Sequence, residues 1–270
     1  MNADDMTARV LEFQEVDASN RISEEVAKKP EYTGRKIYEG AVCGVAAADD
    51  GLISSLNDNK EANLRMMQPK EWLAGAKSIV SFFMPFARWI AEENVGGDWP
   101  SDGWLHGRID GQPPSDGAIK AVAEAIRAEG YEAVIPMHDT RLEVFMNPAD
   151  PPGTRYTSNW SERHAAFAAG LGTFGVSRGL ITELGTAGRF ASLVTTLPLA
   201  PTPRPYTGLL EYCTRCGACV AACPSGAIPA DGLKDHLPCS LHLIKIKEKE
   251  DPYFGCGKCQ SGMPCSFSRP

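Results

Sequence analysis

Cysteine is concentrated near one end of the chain, in a spacing that is typical of electron-transfer proteins. Eight of the nine cysteines fall between residues 213 and 265. They form two sets of four: Cys213, Cys216, Cys219 and Cys223, then Cys239, Cys256, Cys259 and Cys265. The first set has the bacterial ferredoxin spacing C-x2-C-x2-C-x3-C, with Pro224 directly behind it. Eight thiolates are what two [4Fe–4S] clusters require, so the spacing predicts one-electron transfer.

The same spacing predicts how the cysteines divide between the two clusters. Three cysteines two residues apart can wrap one face of a cubane. The fourth cysteine then points toward the other cluster from the first turn of a helix, where Pro224 is tolerated. The predicted ligands of the first cluster are Cys213, Cys216, Cys219 and Cys265. Those of the second cluster are Cys223, Cys239, Cys256 and Cys259.

Zinc sites and disulfides are the alternatives for these cysteines. C-x2-C pairs also bind zinc, but zinc sites rarely place four cysteines within eleven residues with a proline behind the last. Disulfides are disfavoured in a reducing compartment, which is where this chain is expected. The ninth cysteine, Cys43, lies in the apolar stretch 41–45 and is predicted to be a small buried hydrophobic residue.

Composition and charge limit the class of protein. A chain of 270 residues, 43% hydrophobic, can form one large core and a small additional domain. The net charge is −7 and no basic patch stands out, so nucleic-acid binding is not predicted. In the stretch 245–250 lysines alternate with acids, which predicts a solvated helix face. With no long apolar run, apolar signal region or twin arginine, a cytoplasmic protein that binds no membrane is expected.

Helical and strand patterns mix without regular repetition in the first 200 residues, which predicts an α+β fold. Helices are predicted within 1–30 (capped by Thr7), over 119–126 (ending before Gly130) and over 162–169; strands over 79–84, 133–135 and 190–196. Residues 94–117 and 147–159 are predicted to be long loops. Four prolines between 198 and 205 predict a stiff link, which divides the chain into domains 1–200 and 201–270.

Three further segments, taken with the cysteines, resemble the superfamily of epoxyqueuosine reductases and reductive dehalogenases. They are residues 69–80, the glycine-rich residues 169–175 with 178–182, and residues 192–199. The resemblance extends over residues 69–265. It implies a nitroreductase-like, corrinoid-binding α+β domain followed by a small bacterial-ferredoxin-like domain with two [4Fe–4S] clusters.

The resemblance also implies cofactors and partners. Electrons from a low-potential donor such as ferredoxin or flavodoxin would pass through the clusters to base-off cobalamin, and from there to a small-molecule substrate. Glycines would let the backbone approach the flat macrocycle, although a packing element without a ligand is the alternative. The candidate cofactor-binding residues are His106, Ser158, Asn159, His164, Gly170, Gly172, Thr173, Phe174 and Gly175.

The sequence departs from the family pattern in several places. Epoxyqueuosine reductases carry a proton-donating aspartate fourteen residues before the first glycine of the Gly-Leu-Gly motif, where this chain has Tyr156. Reductive dehalogenases use a tyrosine as proton donor, so Tyr156 is the candidate catalytic residue, with a surface tyrosine as the alternative. No helical-repeat tail follows Cys265, which argues against a transfer-RNA substrate. Cys265 itself follows a proline at spacing x5, where the family has x3 and a following proline.

The leading hypothesis is therefore a corrinoid-dependent iron–sulfur reductase of a small molecule. The first alternative is an electron-transfer or corrinoid-handling protein without a reaction of its own. The large first domain argues against a plain ferredoxin, because carrying electrons needs only the cysteine-rich part of the chain. A flavin in place of the corrinoid, and epoxyqueuosine reduction itself, are the remaining alternatives.

Overall fold

The computed structural model describes residues 1–58, 65–147, 149 and 156–270; the side chain of Tyr156 lies outside the described part. Within these ranges the chain forms nine α-helices and eight β-strands in irregular alternation, the mixed composition that was predicted. None of the helices in these ranges has the length and apolar character needed to cross a membrane.

A four-stranded antiparallel sheet stands at the centre of the fold. Its strands, in spatial order, are β1 (Val42–Ala47), β2 (Ser78–Pro85), β8 (Gly188–Thr195) and β3 (Ala133–Val134). The three predicted strands are confirmed as β2, β3 and β8. Every residue of β2 is buried, because it is a central strand with both faces covered, and its sequence is accordingly apolar except for Ser78 and Ser81.

Helices cover both faces of the sheet. On one face, α1 (Ala3–Val16) and α6 (Gln112–Ala128) form a core with Leu193 of β8. On the other face, α7 (Glu162–Ala168) packs with Trp72 and Trp160 against Val194. Neighbouring residues of β8 therefore belong to different cores, as the two-residue period of a strand requires. Helix α7 and the second half of α6 are confirmed predictions.

Helix α1 begins nearer the N-terminus than predicted. The Asn2 side chain accepts from the Asp5 backbone N–H at 2.9 Å, and the Asp5 carboxylate accepts from the Asn2 backbone N–H at 2.8 Å. This reciprocal capping box starts the helix. Thr7, the predicted cap, instead donates its hydroxyl to the Ala3 carbonyl within the helix. The prediction that Thr7 caps the helix is therefore wrong.

Residues 94–117 are largely helical, which corrects the prediction of a long loop there. They contain α5 (Asp102–Ile109) and the first turn of α6. The Ser101 hydroxyl accepts from the Trp104 backbone N–H at 3.1 Å and caps α5. Pro113 stands in the first turn of α6, where a missing N–H costs nothing. The glycine and proline content of this segment reflects helix starts and close packing.

Two hairpins lie outside the central sheet. In the first, β4 (Val144–Met146) pairs with β5 (Tyr156–Ser158), so the predicted loop 147–159 ends earlier than expected; its residues 148 and 150–155 lie outside the described ranges. In the second, β6 (Gly172–Phe174) pairs with β7 (Leu180–Thr182). The remaining short helices are α2 (Gly51–Ser55), α3 (Pro69–Trp72) and α4 (Arg88–Glu93). In the cysteine-rich segment, α8 (Ala218–Ala221) and α9 (His236–Glu250) are joined by turns.

Candidate metal centre and cofactor site

The fold brings together cysteine thiols that are distant in sequence, close enough for each to influence the pKa of the others. Burial, together with the nearby thiols of Cys219, Cys213 and Cys216, raises the pKa of the Cys265 thiol to about 11. Among the residues predicted to bind the second cluster, burial raises the pKa of Cys259, whose thiol also lies near those of Cys239 and Cys223. The Cys256 thiol is close to the thiols of Cys259 and Cys239. These proximities agree with the predicted ligand sets, but the Cys219 thiol also lies near that of Cys259, and the assignment of ligands to each cluster stays a prediction.

The buried thiols are protonated when no metal is bound. The pKa of Cys219 and that of Cys256 are both raised to about 11, chiefly by burial. Cluster assembly would therefore release protons, since thiolates are the ligands. Within the described ranges, no three His, Cys, Asp or Glu side chains form a group that could hold a metal ion. A cubane distributes its four thiolates over four irons, so its ligands lie farther apart than those of a single ion.

Each cysteine set contains a C-G-x-C loop with the same backbone conformation. Gly217 follows Cys216 with φ 77°, and Gly257 follows Cys256 with φ 65°. This left-handed conformation favours glycine, and in both loops it precedes a short helical turn. The surroundings differ. A Cβ at Gly217 would meet nothing within 4 Å, whereas one at Gly257 would stand 1.8 Å from the Trp104 ring.

The β6–β7 hairpin joins the central domain to the cysteine-rich segment. The Phe174 backbone N–H donates to the Leu209 carbonyl at 2.8 Å, and the Tyr212 backbone N–H donates to the Thr173 hydroxyl at 2.8 Å. A Cβ at Gly175 would lie 3.8 Å from the Cys213 sulfur. The glycine-rich segment therefore lies directly beside the first cysteine set.

Two of the glycines in this segment approach protein backbone closely. A Cβ at Gly172 would stand 2.0 Å from the Ile181 carbonyl oxygen, across the hairpin. At Gly170, whose φ is 82°, a Cβ would stand 3.0 Å from the Pro203 carbonyl oxygen. Both positions thus need glycine for packing and chain direction within the protein itself. That was the alternative explanation offered by the sequence.

His106 is buried on α5, whereas the sequence placed it on a loop. Its Nδ1 lies 2.5 Å from an Asp110 carboxylate oxygen, and its Nε2 accepts from the Lys28 backbone N–H at 3.1 Å. Its ring also contacts the edge of Tyr253. Because both nitrogens have partners within the chain, a contact with a cofactor would require His106 to exchange one of them.

Asn159 is likewise occupied by the protein. Its side-chain amide donates to the Arg141 carbonyl at 2.7 Å and its oxygen accepts from the Glu143 backbone N–H at 2.9 Å. Ser158 donates its hydroxyl to the Trp160 carbonyl. These bonds fix the β4–β5 hairpin and the approach to α7, so both side chains have a structural role.

His164 lies at the junction of α7 and β6. Its Nδ1 is 2.8 Å from the Ser161 hydroxyl, and its ring centroid is 5.1 Å from that of Phe174. Burial and the positive charge of Arg163 together lower the pKa of His164 to about 4. The imidazole is therefore neutral near pH 7, able to make a hydrogen bond without carrying charge.

Two buried polar groups in the same region were missed by sequence reasoning. Both carboxyl oxygens of Glu162 and the hydroxyl of Thr157 are buried and have no hydrogen-bond partner among the described residues. Burial raises the pKa of Glu162 to about 8, which neighbouring Ser192 and Trp160 offset only in part. A glutamate in the first turn of a helix is ordinary in sequence, so its burial could not have been anticipated.

A buried lysine ties the second cysteine set to the central domain. The Lys258 ammonium donates to the carbonyls of Asn94 (3.0 Å) and Gly96 (2.6 Å). The Asn94 side chain in turn donates to the Cys256 carbonyl at 3.0 Å. A cavity of about 260 Å³ lies here, lined by residues 95–98, 221–224, 258 and 261–263. These bonds fix the loop that presents Cys256.

A family model and several known proteins are similar to this chain. The 4Fe–4S binding domain model matches residues 209–228, which include the whole first cysteine set. An epoxyqueuosine reductase from Cyclobacterium marinum is 36% identical over 126 residues, 40% of this chain and 38% of that protein. One from Leadbetterella byssophila is 27% identical over 84% of this chain and 76% of that protein. A tetrachloroethene reductive dehalogenase from Desulfitobacterium hafniense is 36% identical over 54% of this chain and 24% of that protein.

Solved structures of both kinds of enzyme share the fold. An epoxyqueuosine reductase with an epoxyqueuosine-modified tRNA stem loop superimposes with a TM-score of 0.52, 18% identity, and coverage of 98% of this chain and 66% of that one. A catabolic reductive dehalogenase in complex with 3-bromo-4-hydroxybenzoic acid superimposes with a TM-score of 0.55 and 16% identity. The superposition covers 98% of this chain and 36% of the dehalogenase. At these identities the likeness shows the fold alone. The chain spans less than two thirds of the length of several of these proteins.

Proposed function

Since the chain belongs to the superfamily that contains epoxyqueuosine reductases and reductive dehalogenases, we propose that it is a reductase that brings electrons through two [4Fe–4S] clusters to a corrinoid and a small-molecule substrate. In this proposal residues 1–200 form a nitroreductase-like domain and residues 201–270 a ferredoxin-like domain. A low-potential donor, such as ferredoxin or flavodoxin, supplies the electrons.

The grouping of the cysteine thiols carries this proposal. Two sets of four lie next to each other, and the Cys219 and Cys259 thiols are close enough to influence each other. The first set also adjoins the β6–β7 hairpin at Gly175. Adjacent one-electron centres next to a large second domain suit the reduction of something bound in that domain. A protein that only carried electrons would not need this second domain.

The unpartnered polar groups beside α7 support a corrinoid. The buried Thr157 hydroxyl has no hydrogen-bond partner among the described residues, and the Glu162 carboxyl has only the nearby Ser192 and Trp160 side chains, neither in good hydrogen-bonding geometry. A corrinoid carries amide side chains around its ring, and these both donate and accept. Thr157, Glu162 and the neutral His164 would therefore hold it. When bound, it supplies the metal centre at which the substrate is reduced.

The cysteine variants provide the main test of the proposal. Protein purified without oxygen is expected to contain about eight irons per chain, four for each cluster. Cys265→Ser and Cys239→Ser are each expected to lose about half of the iron and one of two cluster signals in electron paramagnetic resonance. Added hydroxocobalamin should bind tightly to the unaltered protein. Eight irons without cobalamin binding would leave an electron carrier or a flavin enzyme.

Double variants separate the two predicted ligand sets. Cys265→Ser with Cys213→Ser should lose no more iron than Cys265→Ser alone, because both residues are assigned to the first cluster. Cys265→Ser with Cys239→Ser should lose nearly all of it. If the first pair lost all of the iron and the second only half, the assignment of Cys265 would be wrong.

Tyr156 is the proposed proton donor, and its replacement by phenylalanine separates an enzyme from a carrier. Tyr156→Phe should lower turnover by about 10²–10⁴-fold, the contribution of a positioned acid, without changing iron content or cobalamin affinity. Tyr131→Phe, on the connection between α6 and β3, serves as the control and should retain turnover. Equal activity of the two variants would remove Tyr156 from the mechanism.

Epoxyqueuosine reduction is the second candidate function. It is favoured by the structural neighbour that holds a modified tRNA stem loop. The net charge of −7 opposes it, because phosphate contacts need concentrated basic side chains. Binding of an epoxyqueuosine-modified stem loop at physiological salt, tighter than that of an unmodified one, would decide in favour of this substrate and against the prediction that no nucleic acid is bound.

A further inference from the structure

The first cysteine set is most exposed at Cys216. Cys216 is exposed, while the other eight cysteines of the chain, all of them described, are partly buried. Cys216 follows Arg215, an exposed residue in the left-handed conformation with φ 52°. The turn at Arg215 is thus the place where a cluster bound by the first set would come nearest to solvent.

Two other cysteines of this set lie beside other parts of the protein. The Cys213 sulfur lies beside Gly175 of the hairpin, 3.8 Å from where a Cβ would stand. The Cys219 thiol lies close to that of Cys259, in the second set. The first set therefore extends from the surface at Cys216 to the second set and the central domain, which are the directions in which an electron would leave it.

Apolar and basic residues stand in the segment 209–215 that leads to the exposed cysteine, and Arg269 packs onto this segment. Leu209 is 61% exposed. The guanidinium of Arg269, also exposed, stacks 4.7 Å from the centroid of the Tyr212 ring. Glu211 is the acid of this turn, and its carboxylate accepts from the backbone N–H groups of Thr207 and Gly208 at 3.0 Å each. We call Leu209, Tyr212, Arg215, Cys216 and Arg269 the Cys216 face.

We propose that the Cys216 face binds the small acidic iron–sulfur or flavin protein that reduces this chain. The inference rests on the proposed function. One electron leaves the reduced carrier and enters the cluster held by the first cysteine set; the carrier is oxidised by one electron, the cluster is reduced by one, and no bond forms or breaks. A small apolar centre with a basic rim matches what a transient redox partner needs.

The charge of the chain makes this face selective. At −7 overall, the protein repels an acidic carrier from most of its surface. Arg215, which precedes Cys216 in the sequence, and Arg269, which stacks on Tyr212, provide positive charge on this face. Rim charges of this kind act mainly on the association rate and its dependence on salt. The carrier should therefore bind more weakly, and reduce the clusters more slowly, as ionic strength rises.

Helix α9 offers a competing face and hence a control. Its outer side exposes Leu241 (53%) and Ile244 (50%) near Lys245 and Lys247. The buried residue of this helix, Ile246, lies on the opposite side at helical spacing. The α9 face has similar charge and apolar character, but it has no exposed cysteine. Reversing two lysine charges on α9 therefore changes the net charge as much as reversing the two arginine charges on the Cys216 face.

The test compares Arg215→Glu/Arg269→Glu with Lys245→Glu/Lys247→Glu in the iron–sulfur protein. An acidic plant-type ferredoxin serves as the carrier. At low salt the arginine variant should bind the oxidised carrier about 10–100-fold more weakly and be reduced by the reduced carrier correspondingly more slowly, while the lysine variant changes little. Dithionite, a small reductant, should reduce the clusters of all three proteins at the same rate.

Several outcomes would overturn the inference. A larger loss of carrier binding in the lysine variant would show that the carrier docks at α9. Equal binding by all three proteins would show that neither arginine contributes to docking. Because Arg215 adjoins a predicted ligand, Arg269→Glu alone provides a second variant that leaves the cysteine loop intact. Salt-dependent self-association that is lost in the arginine variant would identify a second copy as the occupant. A chain without reducible clusters would instead contradict the proposed function itself.

Discussion

Replacing Gly257 by alanine is expected to remove the cluster held by the second cysteine set, while the same change at Gly217 is expected to leave both clusters in place. An alanine at either position must adopt a left-handed backbone conformation, which costs about 1–2 kcal/mol. At Gly257 the new methyl group would also stand 1.8 Å from the ring of Trp104, which is only 2% exposed. Overpacking of this kind typically costs a further 1–3 kcal/mol or so.

The clash can be relieved only by moving parts of the protein that are held in place. Trp104 packs edge-on against Phe86 in the core between α5 and the sheet, so its ring cannot move without opening that core. The loop that contains Gly257 is anchored by Lys258 and by the bond from Asn94 to the Cys256 carbonyl. The loop would therefore shift, and Cys256 and Cys259 would move with it.

Iron content and electron paramagnetic resonance provide the measurement. Gly257→Ala should lose about half of the iron and the signal that Cys239→Ser loses, whereas Gly217→Ala should retain both signals with a small decrease in thermal stability. The two glycines occupy equivalent places in C-G-x-C loops, so the backbone cost is matched. Full cluster content in Gly257→Ala would mean that Trp104 gives way, and that this contact does not fix the loop.

The iron–sulfur character of the first cysteine set could be predicted, because the spacing of these residues is a local feature of the chain. Cysteines two residues apart must lie on one loop, and the ferredoxin spacing indicates which of them turns away. The fold brings the Cys265 thiol near those of Cys213, Cys216 and Cys219, although 45 residues separate it from the last of these. Strand β2 was equally predictable, since a continuous apolar run is typical of a strand buried on both faces.

Other features depend on tertiary contacts that leave no local pattern. Helix α5 was missed because its glycines suggest a loop, yet Gly103 and Gly107 let other side chains pack closely against the helix. A Cβ at Gly107 would stand 3.0 Å from Ile90, and one at Gly103 would stand 2.6 Å from Trp89. The glycines of the β6–β7 region were expected to approach a cofactor, but Gly170 and Gly172 approach backbone. A glycine can indicate that another group packs where a Cβ would stand. The sequence alone does not show whether that group is a cofactor, a side chain or backbone.

Glu162 is expected to make the free energy of unfolding fall as pH rises from about 4.5 to about 8. Burial raises the pKa of Glu162 to about 8 in the folded protein, against an ordinary value of 4.5. Between these two values the folded state binds more protons than the unfolded state, so stability decreases as pH increases and levels off above the folded pKa. A shift of this size corresponds to on the order of 5 kcal/mol.

The variant Glu162→Gln removes this titration and retains the shape of the side chain. Its stability should change less with pH, so that its advantage over the unaltered protein grows from pH 5 to pH 9 in denaturant titrations without added cobalamin. Glu124→Gln, on the exposed side of α6, is the control and should follow the unaltered protein throughout. Parallel curves for Glu162→Gln and the unaltered protein would show that Glu162 is ionised and solvated in the folded state. The carboxyl would then not be an unpartnered group available to a corrinoid amide, and Thr157 would be left as the buried polar group that supports that cofactor.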